Sequence, residues 1–374
     1  MKTKGALLWE LNSPFRVDEI DVGDPVDGEV QIKLHAAGLC HSDYHLMAGA
    51  TPIGLPALGG HEGAGVITKV GKGVTGLMEG DHVILGFIPS CGQCRPCLTG
   101  FRSLCDRGAL LLGGKAIADG TSRVHAGGHE VSPMNLLGTF APYMTVHQDS
   151  VVKIDPSVPW ESAAILGCAV PTGFGSATNV AEVQPGETVV IIGVGGIGLS
   201  ALQGAVISGA KNVVAIDPIE FKRDQAIKFG ATHAYESMAG AVIPLIELTQ
   251  GVMAEKTIIA VGEMKGHYIE EAMTLTAKTG TCVVTGMGAM TDVDVKLNLF
   301  LFTMLQKTLK GNIIGGGSSH VETPRLVGLY KSGLLKIDEM VTNTYRLEDI
   351  NVGYQDMLDG KNIRGVIRYD EADW

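Results

Sequence analysis

The uninterrupted apolar run Val189-Val190-Ile191-Ile192 leads directly into Gly193-Val194-Gly195-Gly196-Ile197-Gly198, a G-x-G-x-x-G pattern that opens a helical stretch. A strand, a tight glycine turn and a helix in that order form a phosphate cradle. The first glycine permits the turn, the second admits a pyrophosphate to the backbone, and the third lets helix and strand pack closely. The helix start then presents free N–H groups and a positive dipole end. Asp217 follows Gly198 by 19 residues, at the end of the next apolar run. A carboxylate there accepts from the ribose hydroxyls of an adenosine and repels a 2′-phosphate, so the pattern points to NAD(H) rather than its phosphorylated form. The plainer alternative for Asp217 is a cap on the helix beginning near Pro218.

The surrounding texture fits that start. Val213–Ile216, Ile258–Val261 and Cys282–Thr285 are further short apolar runs, separated by helical stretches such as His267–Ala277. Strands and helices in alternation imply a parallel sheet covered on both faces. The first half reads differently, as β-rich with many turns. Val30-Gln31-Ile32-Lys33-Leu34 alternates like a half-exposed strand, and Gly63–Val70 and His82–Leu85 are similar runs. The expected α/β architecture is therefore a doubly wound cofactor domain over about 170–313, with a β-rich domain made of 1–169 and 314–374. A chain of 374 residues is long enough for two such domains.

Charge and composition exclude other classes. The formal charge is −11, the reverse of the basic footprint of a nucleic-acid binder. Val189–Ala210 carries no charged residue, but its six glycines, two serines and Gln203 fit a strand–turn–helix better than a membrane span. The apolar stretch after Met1-Lys2-Thr3-Lys4 ends at Glu10, too short for a secretory leader. The seven cysteines are then expected as thiols or metal ligands in the cytoplasm.

Cys91, Cys94, Cys97 and Cys105 form C-x2-C-x2-C-x7-C. Four thiolates in so short a stretch can close a tetrahedron around a structural zinc. An iron–sulfur cluster and unligated thiols are the alternatives, although Asp106 stands where a ferredoxin pattern needs proline. Cys40, His61 and Cys168 could make a second site, but spacing alone does not bring such distant residues together. Cys282 lies in an apolar run and reads as packing.

Gly60-His61-Glu62-x-x-Gly65, with Val70-Gly71 behind it and then Gly80-Asp81-x-Val83, resembles the signature of zinc-dependent medium-chain alcohol dehydrogenases. The cysteine lobe, Cys168 and the glycine loop follow in that family's order, and the likeness runs from about Gly5 to the C-terminus. The resemblance implies a GroES-like catalytic domain, a Rossmann domain, NAD(H) and two zinc ions per chain. Cys40, His61 and Cys168 match that family's catalytic zinc ligands. Glu62 matches a carboxylate that can swing in as a transient ligand. Asp43 matches the acid that holds the histidine ligand's other nitrogen. Ser42 matches the hydroxyl that takes the substrate proton, and His45 the imidazole that passes it on.

On the cofactor side the resemblance assigns His41 to the pyrophosphate, Lys222 to a ribose, Arg364 to the phosphates and Thr172 to the nicotinamide. Phe87, Leu136 and Met287 fall where the family lines its substrate channel. Asp217-Pro218-Ile219-Glu220-Phe221-Lys222-Arg223 and Tyr354-Gln355-Asp356-Met357 resemble the actinobacterial nitrosoaniline-dependent, mycofactocin-associated subgroup. Its members look like nicotinoproteins, in which NAD(H) stays bound and is recycled by a small-molecule redox acceptor. The expectation is thus a homo-oligomeric enzyme interconverting a primary, including aromatic, alcohol and its aldehyde, without nucleic-acid or membrane partners. A thiol-dependent formaldehyde dehydrogenase shares both zinc sites, and a non-enzymatic dinucleotide-binding relative would lack catalytic ligands. The glycine-rich stretch 106–135, with Arg123, His125 and His129, reads as a long loop of unassigned role.

Overall fold

The computed structural model describes every residue, Met1–Trp374. The chain forms two compact units, Met1–Cys168 with Ser318–Trp374, and Ala169–Gly317.

In the first unit, Glu29–Gly38 is the organising strand. It pairs antiparallel with Gly63–Val70, with Tyr143–His147 and with the C-terminal strand Arg364–Arg368. Being central, it is more deeply covered than the alternation of its side chains predicts. Gln31 is buried as well as Val30, Ile32 and Leu34, and the Lys33 ammonium lies 3.5 Å from the ring centre of Trp374. Lys2–Leu8, Arg16–Val22, Val124–Ala126, His129–Pro133 and Ala57–Leu58 close into a small barrel. Two of those strands come from the stretch expected to be a loop. Gly127 and Gly128, at φ 55° and 83°, make the two-residue turn between them. Arg123 is buried beside them, its Nε donating to Glu29 at 2.7 Å and its Nη2 to Asp119 at 2.9 Å.

The antiparallel register decides where side chains converge. Ala37 faces Gly63 and Gly38 faces Val366. Continued by two or three residues, those pairings carry Cys40, His61, Glu62 and Arg364 to the same end of the sheet. Cys168 joins them after the helix Trp160–Ile165, through Gly167. A Cβ on Gly167 would stand 2.5 Å from the Leu85 carbonyl oxygen, so only glycine permits the approach.

The second unit holds a six-stranded parallel sheet. Its order is His233–Tyr235, Asn212–Ile216, Thr188–Ile192, Ala254–Ile259, Thr276–Val284 and Thr308–Gly311. Numbered along the chain this is 3-2-1-4-5-6, the Rossmann order. Buried Val190, Ile192, Val214, Ile216 and Ile259 belong to its core. Cys282 is fully buried in the sheet, and burial pushes its thiol up to about 12, in keeping with packing. The segment Val189–Ala210 resolves into strand, turn and the helix Gly196–Ile207. No helix of the protein is long and apolar enough to cross a membrane.

Helix Ala169–Gly175 packs on Gly196–Ile207 through Gly173, where a Cβ would lie 1.9 Å from the Ile197 carbonyl oxygen. Gly173→Ala should therefore force the helices apart at a cost of about 1–3 kcal/mol. A lower urea midpoint is the expected reading, and an unchanged one would contradict this packing.

Candidate metal centres and cofactor loop

Two groups of ligand atoms lie within 4.8 Å of one another: Cys91, Cys94, Cys97 and Cys105, and separately Cys40, His61, Glu62 and Cys168. In the first, the Cys91–Cys97 sulfurs are 4.0 Å apart and the Cys94–Cys105 sulfurs 3.9 Å. A tetrahedral zinc with four thiolates requires edges of roughly 3.8 Å, so the cage fits that ion. Backbone N–H groups of Gln93 and Cys94 each point at Cys91 Sγ at 3.4 Å, and that of Asp106 points at Cys94 Sγ at 3.4 Å. Against the effect of burial, the N–H groups of Gln93 and Cys94 help pull the Cys91 thiol down to about 7. Burial pushes Cys105 up to about 12. Four thiolates repel one another, and a divalent cation is what lets all four ionise.

The second group is wholly buried. Cys40 is the N-cap of helix His41–Met47, and Asp43 at its third position reaches back to the Cys40 N–H at 3.2 Å. The other Asp43 oxygen accepts from the Gly60 N–H at 3.2 Å and meets His61 Nδ1 at 3.0 Å. One carboxylate therefore ties both ligand-bearing loops and leaves His61 Nε2 for a metal. Burial alone would lower the His61 pKa, but Asp43 and Cys40 together raise it well above the usual range. The Cys168 thiol beside it lowers the Cys40 pKa well below its ordinary value.

Glu62 Oε2 accepts from Arg364 Nη2, while Glu62 Oε1 is buried without a hydrogen-bond partner. Burial raises the Glu62 carboxyl and the Arg364 guanidinium opposes the rise. When the thiols ionise, two thiolates and two carboxylates face one guanidinium. A divalent cation supplies the missing positive charge, and the unpartnered Glu62 oxygen is a further donor for it. The residues thus fit zinc on charge, donor type and spacing.

The remaining expected residues distribute as follows. Ser42 Oγ lies 3.7 Å from Cys40 Sγ, and buried His45 sits three residues further on the same helix. Phe87 sets its ring at 83° to His61, with centroids 5.6 Å apart. Leu136 is buried at φ 64° beside a cavity that Glu29, Arg123 and His147 also line, none of which belongs to either metal group. Arg364 is buried with its guanidinium on Glu62. His41 is half-buried at the first position of its helix.

In the second unit, Gly193 takes φ 82°, and a Cβ on Gly198 would stand 1.8 Å from the Gly193 carbonyl oxygen. Nothing lies within 4 Å of the Cβ position of Gly195, which leaves room for a ligand above the helix start formed by Gly196 and Ile197. Asp217 Oδ2 accepts from the Val194 N–H and Oδ1 from the Ile219 N–H, both at 3.0 Å. It both braces the glycine loop and caps the following turn, with lone pairs left over. Lys222 is half-buried on the helix Glu220–Lys228, Thr172 is buried, and Met287 is exposed after strand Thr276–Val284. Arg223 and Tyr354, which the sequence offers only as parts of longer matching segments, also take up positions of their own. Arg223 Nη1 donates to the carbonyls of Asp217 and Pro218 at 2.8 and 2.9 Å. The buried Tyr354 hydroxyl is held protonated by burial and by the Asp43 charge nearby.

A closed four-thiolate cage, a buried two-sulfur, one-imidazole site and a dinucleotide-type sheet define a metal-dependent dehydrogenase. Residues 26–156 match the alcohol dehydrogenase GroES-like domain and residues 196–331 the zinc-binding dehydrogenase domain. Over its whole length the chain is 56% identical to alcohol dehydrogenase B of Mycobacterium tuberculosis, all of which is covered. It is 47% identical to the NDMA-dependent alcohol dehydrogenase of Amycolatopsis methanolica, with 99% of each chain covered. The benzyl alcohol dehydrogenase structure from Acinetobacter calcoaceticus superposes with a TM-score of 0.92 at 28% identity, covering 99% of this chain and 100% of that one. The chain belongs to the zinc-dependent medium-chain alcohol dehydrogenase family, and it is an enzyme.

Asp43→Asn keeps the shape of the side chain but weakens its hold on His61. Zinc retention at the Cys40 group should fall about 10–100-fold in chelator competition, with the four-cysteine zinc unaffected. Equal retention at both sites would contradict the role given to Asp43.

Proposed function

We propose that the protein interconverts a primary alcohol, aromatic alcohols included, and its aldehyde, using NAD(H) that stays bound and is recycled by a small-molecule acceptor. The observation that carries this reading is the buried Cys40–His61–Cys168 group with Asp43 behind the imidazole. Cys40, His61 and Cys168 would hold a zinc ion there, which would supply the Lewis acidity that lets an alcohol hydroxyl ionise at neutral pH. Ser42 accepts the hydroxyl proton and His45, on the same helix, passes it toward solvent. Asp43 keeps the His61 ring in the tautomer whose Nε2 is free, and Phe87 gives the site an apolar wall. Glu62, held by Arg364, keeps one oxygen in reserve as a transient ligand.

For the cofactor, the glycine loop takes the pyrophosphate and Asp217 the adenosine ribose, with Lys222 beside it. By the family resemblance His41, Arg364 and Thr172 would complete its contacts and Phe87 and Met287 would face the substrate, whereas Leu136 borders the separate cavity with Glu29, Arg123 and His147. Use of a small-molecule acceptor draws support from the identity with the NDMA-dependent enzyme, and aromatic substrates from the likeness to benzyl alcohol dehydrogenase. None of the seven cysteines forms a disulfide, in keeping with our reading of the protein as a homo-oligomer of the cytoplasm.

Desalted protein should carry close to one nicotinamide per chain, and should oxidise benzyl alcohol with a nitrosoaniline acceptor without added NAD. Protein free of nicotinamide that needs fresh NAD for every turnover would overturn the retained-cofactor reading. Ser42→Ala should lower turnover by about 100-fold while leaving both zinc ions in place, and an unchanged rate would remove Ser42 from the proton path.

A further inference from the structure

One acceptor position on Asp43 is unused. Its Oδ1 accepts from the Gly60 N–H and meets His61 Nδ1, while Oδ2 accepts only from the Cys40 N–H. A carboxylate offers about four acceptor positions, two on each oxygen, so the open one is on Oδ2. Asp43 is fully buried, where an incompletely bonded carboxylate is costly.

A side chain from near the other end of the sequence supplies a donor. Tyr354 lies on the helix Ile350–Leu358, and its hydroxyl is buried with no hydrogen-bond partner. The Asp43 carboxylate is nonetheless close enough to act on it. After burial itself, the Asp43 charge does most to push that hydroxyl well above its ordinary pKa, ahead of Cys40 and Glu62. A phenol held in its protonated form is a donor, and here it is a donor without an acceptor.

Packing aims the ring. Asn351, three residues before Tyr354, accepts from the Phe15 N–H at 3.0 Å and donates to the Phe15 carbonyl at 2.8 Å, which ties the helix to that loop. The Tyr354 ring then meets Phe15 at 5.8 Å and Phe140 at 6.3 Å between centroids. Those two rings fill the space beside the His61 loop. A Cβ on Gly59 would stand 2.7 Å from both of them, and one on Gly60 2.6 Å from Phe140. A Cβ on Gly353 would stand 2.4 Å from Leu39, the chain neighbour of Cys40. The helix and its aromatic partners therefore press on both loops that Asp43 joins. Phenylalanine would fill the same apolar space without stranding a polar atom, so packing alone gives no reason for the oxygen.

We propose, on the reading that the Cys40 group holds zinc, that the Tyr354 hydroxyl donates to Asp43 Oδ2 and completes the carboxylate. Tyr354 is a positioning residue that acts through Asp43 on the His61 ring. Anchored at four points instead of three, Asp43 keeps His61 Nε2 turned toward the metal.

The test is chelator competition on Tyr354→Phe, which deletes the oxygen and keeps the ring. Zinc at the Cys40 group should be held about fivefold less tightly, with the four-cysteine zinc unchanged and the urea midpoint no higher. In an Asp43→Asn background the same change should add less than about twofold, because the residue through which Tyr354 acts is already weakened. A stranded hydroxyl behaves in the opposite way. Its removal would raise the urea midpoint and leave zinc retention alone, and that result would overturn the proposal. Equal loss from both zinc sites would also overturn it, as would an undiminished loss in the Asp43→Asn background. A crystal structure of the wild type decides the matter even if the variant fails to fold. Tyr354 Oη should lie about 2.5–2.7 Å from Asp43 Oδ2, and an Oη bonded instead to a water or a backbone carbonyl would contradict the assignment. Zinc in the four-cysteine lobe alone would sink the zinc reading, and the Oη–Oδ2 distance would still decide the hydrogen bond.

Discussion

The Asp43 carboxylate is the contact on which the rest of the site depends. It accepts from the backbone N–H groups of Cys40 and Gly60 and holds the His61 ring, so one side chain fixes two loops and a ligand tautomer. Those loops are delivered by register. With Ala37 opposite Gly63 and Gly38 opposite Val366, a slip of one residue would turn Cys40, His61 and Arg364 away from each other. The central strand Glu29–Gly38 is covered on both faces, which makes such a slip prohibitively expensive.

Charge explains why the site needs an ion. Thiols and carboxyls at Cys40, Cys168, Glu62 and Asp43 are all buried, with Arg364 as their guanidinium partner. Burial raises the Glu62 carboxyl against the opposing Arg364 charge, and the hydrogen bond with Cys40, with burial behind it, raises the Cys168 thiol. A divalent cation reverses that preference and turns the same residues into ligands. The cysteine lobe repeats the argument with four thiols, closed on all sides, whereas in the proposed function Cys40, His61 and Cys168 would leave a coordination position for substrate once Glu62 stands back.

Much of this was legible in the sequence because the informative signals are local. The glycine loop follows a strand and opens a helix, and four cysteines crowd into one lobe; both patterns depend on neighbours in the chain. The meeting of Cys40, His61 and Cys168 was supplied by family resemblance, since register is a long-range property. The pairing of Glu62 with Arg364 spans most of the chain and left no local trace. The stretch 106–135 was read as a loop although Gly127-Gly128 between short runs is a hairpin signal. The half-exposed reading of Val30–Leu34 failed because alternation reports side chains, not how many strands and tails cover them. Tyr354 carries an ordinary polar group whose importance lies only in what is beside it once folded.

The central claim is that the buried Cys40–His61–Cys168 group holds a zinc ion with room for substrate oxygen. Diffraction from crystals grown with an alcohol analogue, measured on both sides of the zinc absorption edge, tests it most directly. Two anomalous peaks per chain should appear, one within about 2.3 Å of Cys40 and Cys168 sulfur and bonded to His61 Nε2, with the analogue's oxygen on the remaining position. A peak in the four-cysteine lobe alone, or a second ion closed off by protein ligands with the analogue elsewhere, would contradict the account.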